Sequence, residues 1–207
     1  MKRSIVSDET RNKEAKKATW IGFVVNAFLT LFKILAGFFG GSAAMIADGV
    51  HSLSDFFTDI VVLVGFRFTE KPADDQHNYG HGKYETLATV VISLALLLIG
   101  YKIMTSGIMS IYEVLFKGKI IEQPKMIALV AAVFSIISKE LLFRYTRRVG
   151  EMIQSSAVIA NGWHHRSDAF SSIGTMAGIG GAILFGQNWA VLDPLASLIV
   201  SVFIFKV

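Results

Sequence analysis

Residues 43–68 read AAMIADGVHSLSDFFTDIVVLVGFRF, an apolar run long enough for a helix to cross the hydrocarbon core of a bilayer. The run also contains ionisable side chains, which cost about 2.5–3.5 kcal/mol each in hydrocarbon on insertion scales and therefore need an explanation. At about 100° per residue, Asp48, His51, Asp55 and Asp59 fall on one helix face about 80° wide. This pattern predicts a membrane-spanning helix whose polar face points into a helix bundle.

The rest of the chain has the same alternation of charged clusters and long apolar stretches. Of the 207 residues, 53% are hydrophobic and 17% are charged, against about 25% charged in soluble domains. These proportions exclude a soluble enzyme, a disordered chain and a nucleic-acid binder. We predict an all-α integral membrane protein, a six-transmembrane-helix bundle. The predicted spans are 18–39, 43–68, 84–116, 124–145, 155–185 and 193–206.

The domain organisation and orientation follow from the polar segments. Residues 1–17 are polar and lack the apolar core of a signal peptide, so we predict a cytoplasmic N-terminal segment followed by a transmembrane domain at 18–207. Pro124 suits the first position of the fourth helix.

Thirteen Lys and Arg residues lie on one side of the predicted membrane and three on the other. Both termini should therefore be cytoplasmic, because basic residues accumulate on that side.

The fifth predicted span repeats a pattern of the second. His51 and Asp55, like His164 and Asp168, are four residues apart, which places each pair on one helix face one turn apart. The two spans run in opposite directions, so the pairs can lie level with each other. Two imidazoles and two carboxylates supply the four N and O ligands that tetrahedral Zn²⁺ accepts. We predict a metal site at these residues; the alternative is a polar cavity without a ligand.

A second candidate metal site lies between the second and third spans. Asp74, His77 and His81 offer one carboxylate and two imidazoles within eight residues, and glycines allow the backbone to turn around an ion. The alternative is a solvated polar loop that binds no metal. Since the chain has no cysteine, thiolate metal sites and disulfides are excluded.

Other polar residues in the predicted spans have simpler interpretations. Asp48, Asp59 and Asn26 are candidates for a proton or ion relay, or they only line the cavity. Lys33 is expected to snorkel to the outer surface. Lys139 and Glu140 are expected to form a local charge pair. Small residues of the fifth span should let it pack closely on its neighbours; they are Gly174, Gly178, Gly181 and Ala182.

Three motifs carry a resemblance to a known family. The motifs HSLSD at 51–55, PADDQHNYGHGKYETLA at 72–88 and NGWHHRSD at 161–168 resemble the cation diffusion facilitator family, in particular its bacterial zinc and iron efflux transporters. The similarity extends over essentially the whole chain. It implies a secondary active transporter rather than an enzyme, which exports divalent cations in exchange for protons by alternating access.

The resemblance also implies details of the site and the assembly. The family's transport site falls on His51, Asp55, His164 and Asp168, and its loop site on Asp74, His77 and His81. It implies no cofactor, a divalent cation as substrate, and a homodimer in the lipid bilayer of a bacterial inner membrane. The family's cytoplasmic C-terminal domain is absent from the sequence, which predicts a transmembrane-domain fragment or a short variant.

Two other function classes stay open on the residues alone. A membrane metalloenzyme needs a metal with an open coordination position and a general base, whereas the predicted cage supplies four protein ligands. A metal sensor or assembly partner that does not transport is the other alternative. Imidazole ligands favour Zn²⁺, with Fe²⁺, Cd²⁺ and Co²⁺ as further candidates, over Mg²⁺ and Ca²⁺.

Overall fold

The computed structural model describes the backbone of residues 8–69 and 82–205, with side chains except those of residues 8, 58–59, 61–69, 82–86 and 88–89. In this part of the chain there are six long helices and no strand. A short 3-10 turn, Gln187–Trp189, precedes the last helix. The helices are α1 (Asp8–Gly40), α2 (Ala43–Thr69), α3 (Gly82–Lys117), α4 (Met126–Met152), α5 (Ser156–Leu184) and α6 (Leu192–Ile204).

The predicted helical class is confirmed, but several helix ends differ from the predicted spans. Helix α1 begins at Asp8, so part of the predicted polar segment 1–17 is helical. Helix α4 continues to Met152, beyond the predicted end at 145. Hydropathy marks where a chain leaves the bilayer, whereas Lys, Glu, Arg and Ala sustain a helix in water. Pro124 is not the first helical residue, because Lys125 occupies the N-cap position of α4.

Several helices have the length and composition needed to cross a membrane. Among the described residues, such spans are Glu9–Gly40, Val90–Lys117, Met126–Met152 and Gln187–Ile204. The protein is therefore an integral membrane protein by these criteria. The count of six transmembrane helices and the cytoplasmic position of both termini stay predictions.

The helices pack around a core to which α1, α2, α4, α5 and α6 contribute buried side chains. Helix α4 packs on α5 and α1, and α6 lies against α2, α3 and α5. Helix α3 packs on α2 and α6 at the edge of the bundle, and its Leu94, Leu97 and Leu98 are more than half exposed. Such an apolar outer surface is suited to contact with lipid, where leucine is as well solvated as in a protein core.

Small side chains allow the close approach of α5 and α6. A Cβ atom added at Gly178 would lie 2.3 Å from the Cβ atom of Ala196. Ala182 is fully buried, as predicted from the small-residue pattern. Gly174 does not serve this purpose, because a Cβ atom there would meet no atom within 4 Å. The predicted packing role is therefore confirmed for Gly178 and wrong for Gly174.

The corner between α1 and α2 positions the start of the helix that carries the first predicted ligand pair. Gly41 turns the chain with a φ of 61°, a conformation that costs glycine little. The hydroxyl of Ser42 accepts a hydrogen bond of 3.0 Å from the backbone N–H of Met45, which caps the new helix. Asp193 at the start of α6 accepts from the backbone N–H of Ala43 at 2.7 Å. This anchor fixes α2 against α6.

Candidate metal centre

Three predicted ligands from two helices come together inside the bundle. His51 and Asp55 of α2 and Asp168 of α5 each offer a ligand atom, and these atoms all lie within 4.8 Å of one another. A tetrahedral Zn²⁺ site with bonds of about 2.0–2.2 Å holds its ligand atoms roughly 3.4 Å apart. Modest side-chain rotation is therefore enough to bring these atoms around one ion.

The fourth predicted ligand lies at the edge of this cluster. Nδ1 of His164 is 3.9 Å from Oδ1 of Asp168, and the imidazole is about half exposed, at 49%. The i, i+4 spacing places the two residues on one face of α5, as predicted. His164 therefore faces the cluster but lies farther from it than the other three ligands.

All four residues line one cavity between α2, α5 and α6. Its volume is about 590 Å³. Ser167, Ser171 and Gly174 add polar and open surface beside the ligands, while the α6 side contributes apolar side chains such as Ile199 and Phe203. The cavity is large enough to admit a hydrated ion to the ligand cluster, since one water occupies about 30 Å³ in the liquid.

Two ligand atoms are left available by the surrounding protein. Nδ1 of His51 and Oδ2 of Asp55 are buried and have no hydrogen-bond partner among the described residues. Buried polar atoms usually have a hydrogen-bond partner, so these two atoms beside the cavity are free to bind a ligand. A divalent cation bound by both carboxylates and both imidazoles would satisfy them.

Asp168 has a partner that the sequence analysis did not assign. Nζ of Lys139 in α4 lies 2.7 Å from Oδ2 of Asp168 and donates to Oδ1 of Asn26 at 2.8 Å. Lys139 is 1% exposed. Asn26 therefore accepts from Lys139 and is not among the residues that line the cavity. Its predicted role in a relay stays a prediction.

The predicted charge pair between Lys139 and Glu140 is wrong. Successive residues in a helix point about 100° apart, so Lys139 faces the bundle interior while Glu140 faces outward. Glu140 instead accepts from Nε of Arg144 at 2.8 Å and lies 3.7 Å from Nε of Arg166. The inward lysine is thus part of the surroundings of the candidate ligand cluster.

The predicted snorkelling of Lys33 is also wrong. Lys33 is fully buried, and its Nζ lies 2.9 Å from Oδ2 of Asp48. It also donates to the hydroxyls of Ser52 and Ser172 at 3.1 and 2.9 Å. The carboxylate of Asp48 lies close enough to pair with the ammonium inside the bundle. The side chain therefore does not have to extend to the membrane interface.

The polar face of α2 therefore serves two separate clusters. Asp48 is held by Lys33, and the hydroxyl of Ser172 donates to it at 2.9 Å, whereas His51 and Asp55 face the cavity. The predicted relay role of Asp48 stays a prediction, as does that of Asp59, whose side chain lies outside the described part of the chain. Asp74, His77 and His81 also lie outside the described residues, so the predicted loop site is not tested.

One buried histidine was not among the predicted site residues. His165 is 2% exposed, and neither ring nitrogen has a hydrogen-bond partner within the described ranges. Its Nε2 lies against Gly22 of α1, where a Cβ atom would stand 3.3 Å away. The sequence could have marked Lys139 as a residue that needs a partner inside the bundle, because a lysine in an apolar span has the same insertion cost as an aspartate. Nothing in the sequence identified Gly22 as the neighbour of His165.

Comparisons with known proteins give a family match over most of the chain. A family model described as the cation efflux transmembrane domain matches residues 19–207. Metal tolerance protein C1 of Arabidopsis thaliana is 40% identical over 93% of this chain and 42% of its own length. An uncharacterized transporter of Methanocaldococcus jannaschii is 36% identical, over 94% of this chain and 66% of its own length.

A third relative is named for a particular metal. The manganese efflux system protein MneP of Bacillus subtilis is 33% identical over 95% of this chain and 66% of its own length. The chain thus spans between 42% and 66% of the length of these three curated relatives.

Proposed function

The chain belongs to the cation diffusion facilitator family, and we propose that it exports divalent metal ions across a membrane in exchange for protons by alternating access. The observation that carries this proposal is the cluster of His51, Asp55 and Asp168, whose ligand atoms lie within 4.8 Å of one another beside a cavity. An ion held by side chains on separate helices can be exposed to either side of the membrane when those helices tilt against each other.

Zn²⁺ is the proposed preferred substrate. Two imidazoles and two carboxylates suit a borderline metal that accepts four ligands, whereas Mg²⁺ and Ca²⁺ prefer six or more oxygens. Fe²⁺, Cd²⁺ and Co²⁺ are the next candidates, because imidazole binds them as well. The Bacillus subtilis relative is named for manganese efflux. Manganese is therefore the most informative competitor to measure against zinc.

Proton exchange is proposed from the chemistry of the ligands. A metal ion binds neutral imidazole and ionised carboxylate, so metal binding competes with protonation of the same groups. The reference pKa of imidazole, about 6.5, lies close to physiological pH. Loading metal at the cytoplasmic side would release protons, and releasing metal at the outer side would take protons up.

The assembly and location are further parts of the proposal. We expect a homodimer, which cross-linking and mass measurement in detergent would detect; a monomer at high protein concentration contradicts it. The proposed location is the inner membrane of a bacterium, with both termini in the cytoplasm. Protease protection of tags at the two termini in intact spheroplasts tests that orientation.

Metal flux in proteoliposomes tests the central proposal. The purified chain is reconstituted with a zinc-sensitive dye inside the vesicles, with and without an imposed pH gradient. We expect zinc entry that is accelerated when the vesicle interior is acidic, together with proton movement in the opposite direction. The variant Asp55→Asn, which removes one ligand charge, should show no flux above empty vesicles.

Other results would identify the alternatives. Metal flux that does not depend on the pH gradient and is not accompanied by proton movement would indicate a uniporter. Tight zinc binding without any flux would indicate a sensor or an assembly partner. Absence of both binding and flux would refute the metal site itself.

A further inference from the structure

The carboxylate of Asp168 is shared between the metal cluster and a buried lysine. Nζ of Lys139 donates to Oδ2 of this carboxylate at 2.7 Å. The other oxygen, Oδ1, lies 3.9 Å from Nδ1 of His164. We propose that Lys139 is a positioning residue that determines metal selectivity: it retains one oxygen of Asp168, so that this carboxylate binds the ion through the other oxygen only. The inference rests on the proposed metal site and adds a residue to it.

The lysine is held firmly in this place. It is 1% exposed, and its ammonium also donates to Oδ1 of Asn26 at 2.8 Å, so α1, α4 and α5 meet at this point. Removing one partner from a buried ion pair leaves an uncompensated charge, which is strongly unfavourable. Lys139 therefore keeps its contact with Oδ2 when a metal ion binds on the other side of the carboxylate.

A single available oxygen limits the number of ligands around the ion. With one bond from Asp168, one from Asp55 and one from each imidazole, the ion has four ligands, the number that zinc prefers. Ions that prefer six or more ligands obtain some of them from carboxylates that bind through both oxygens. By preventing Asp168 from binding an ion through both oxygens, Lys139 disfavours the binding of Mn²⁺ relative to that of Zn²⁺.

The fixed positive charge has a second effect. An ammonium near the site repels any divalent ion, and a few ångströms of protein screen this repulsion much less than water does. Loss of the charge should therefore strengthen the binding of both metals. Release of the second oxygen of Asp168 should strengthen the binding of Mn²⁺ further, but not that of Zn²⁺. This additional gain in Mn²⁺ affinity is the signature of the positioning role.

The chain contains a matched control for this proposal. Lys33 is also fully buried and also pairs with an aspartate of a neighbouring helix, at 2.9 Å from Oδ2 of Asp48. Its other partners are the hydroxyls of Ser52 and Ser172, and none of these residues belongs to the ligand cluster. Neutralising Lys33 removes an equivalent buried ion pair but leaves the oxygens of Asp168 as they are.

The experiment compares Lys139→Met with Lys33→Met in the full chain in detergent. Isothermal titration with Zn²⁺ alone and with Mn²⁺ alone gives the ratio of the two dissociation constants. We expect Lys139→Met to shift this ratio toward Mn²⁺ by about tenfold or more, and Lys33→Met to leave it within about twofold. Lys139→Gln, which is shorter and neutral, provides a second variant with the same expected direction in case the methionine variant folds poorly.

A spectroscopic measurement separates positioning from a general loss of structure. Tetrahedral Co²⁺ absorbs visible light far more strongly than six-coordinate Co²⁺, so a Co²⁺ titration reports the coordination number. We expect a strong band in the wild type and in Lys33→Met, and a weaker band in the Lys139 variants. An unchanged metal ratio and band in the Lys139 variants would overturn the inference, as would equal changes in Lys33→Met. Failure of the wild type to bind Zn²⁺ would instead refute the proposed function.

Discussion

The hydroxyl of Ser42 donates a hydrogen bond of 2.6 Å to Oδ1 of Asp193, a residue 151 positions later in the chain. The second oxygen of Asp193 accepts from the backbone N–H of Ala43 at 2.7 Å. The first turn of α2 is thereby tied to the first turn of α6. Because α2 carries His51 and Asp55 and α6 lines the same cavity, this contact sets the relative position of two cavity walls.

Replacing Asp193 with alanine should destabilise the protein. The change leaves the Ser42 hydroxyl and the Ala43 N–H without their acceptor, and each lost partner of a buried polar group costs about 1–3 kcal/mol. Thermal unfolding in detergent, followed by intrinsic fluorescence, measures the effect. Glu113→Ala is the control, because Glu113 pairs with Lys119, which is largely exposed; its loss of stability should be clearly smaller. Equal stability of both variants would contradict the proposed anchor.

Replacing Asp55 with alanine should nearly abolish metal transport. Asp55 offers one of the candidate ligand atoms of the cluster, and its Oδ2 has no partner among the described residues. Asp168→Ala should have the same effect on flux but should also lower stability, since it leaves Lys139 without its 2.7 Å partner. Flux in proteoliposomes and thermal unfolding measure the two effects, with Glu140→Gln as the control. Wild-type flux in both aspartate variants would refute the ligand assignment.

Replacing His51 with aspartate should reduce the discrimination between metals. The change exchanges an imidazole for a carboxylate, and carboxylates suit harder ions such as Mn²⁺ and Mg²⁺ better than imidazole does. Competition of Mn²⁺ and Cd²⁺ against zinc flux measures the selectivity of the variant. If selectivity were unchanged, His51 would not contact the transported ion.

Metal affinity should rise with pH between about 6 and 8. Protons compete with the metal for imidazole, whose reference pKa is about 6.5, and this competition weakens as the pH increases. Zinc titrations at several pH values in buffers of different ionisation enthalpy give both the affinity and the number of protons released. At least one proton should be released for each ion bound near pH 6. A flat pH profile would argue against proton exchange through these ligands.

Adding a methyl group at Gly178 should destabilise the bundle, whereas the same change at Gly174 should be tolerated. A Cβ atom at Gly178 would stand 2.3 Å from Cβ of Ala196 and 3.0 Å from the carbonyl oxygen of Leu192, while at Gly174 it would meet no atom within 4 Å. Overpacking of this kind costs about 1–3 kcal/mol. Thermal unfolding of Gly178→Ala and Gly174→Ala compares the two sites. Similar melting temperatures would show that α5 and α6 are not packed this closely.

The amino-acid sequence alone was enough to predict the helices and to place each candidate ligand pair on one helix face. Long apolar runs predicted six helices because the bilayer requires a fixed helix length, although α1 and α4 extend beyond those runs. The i, i+4 spacing predicted that His51 and Asp55, and likewise His164 and Asp168, share a face, since that relation is fixed within one helix. Only the juxtaposition of the two pairs required an assumption about packing.

Which polar groups meet across the helices depends on how the helices pack. The partners of Lys33 and Lys139 lie on other helices, 2.9 Å from Asp48 and 2.7 Å from Asp168. A long flexible side chain can reach an interface or an interior carboxylate equally well, so periodicity does not choose between them. That choice depends on which face each helix turns to its neighbour, and close contacts at small residues, such as Gly49 of α2 against Ile34 of α1, influence that face.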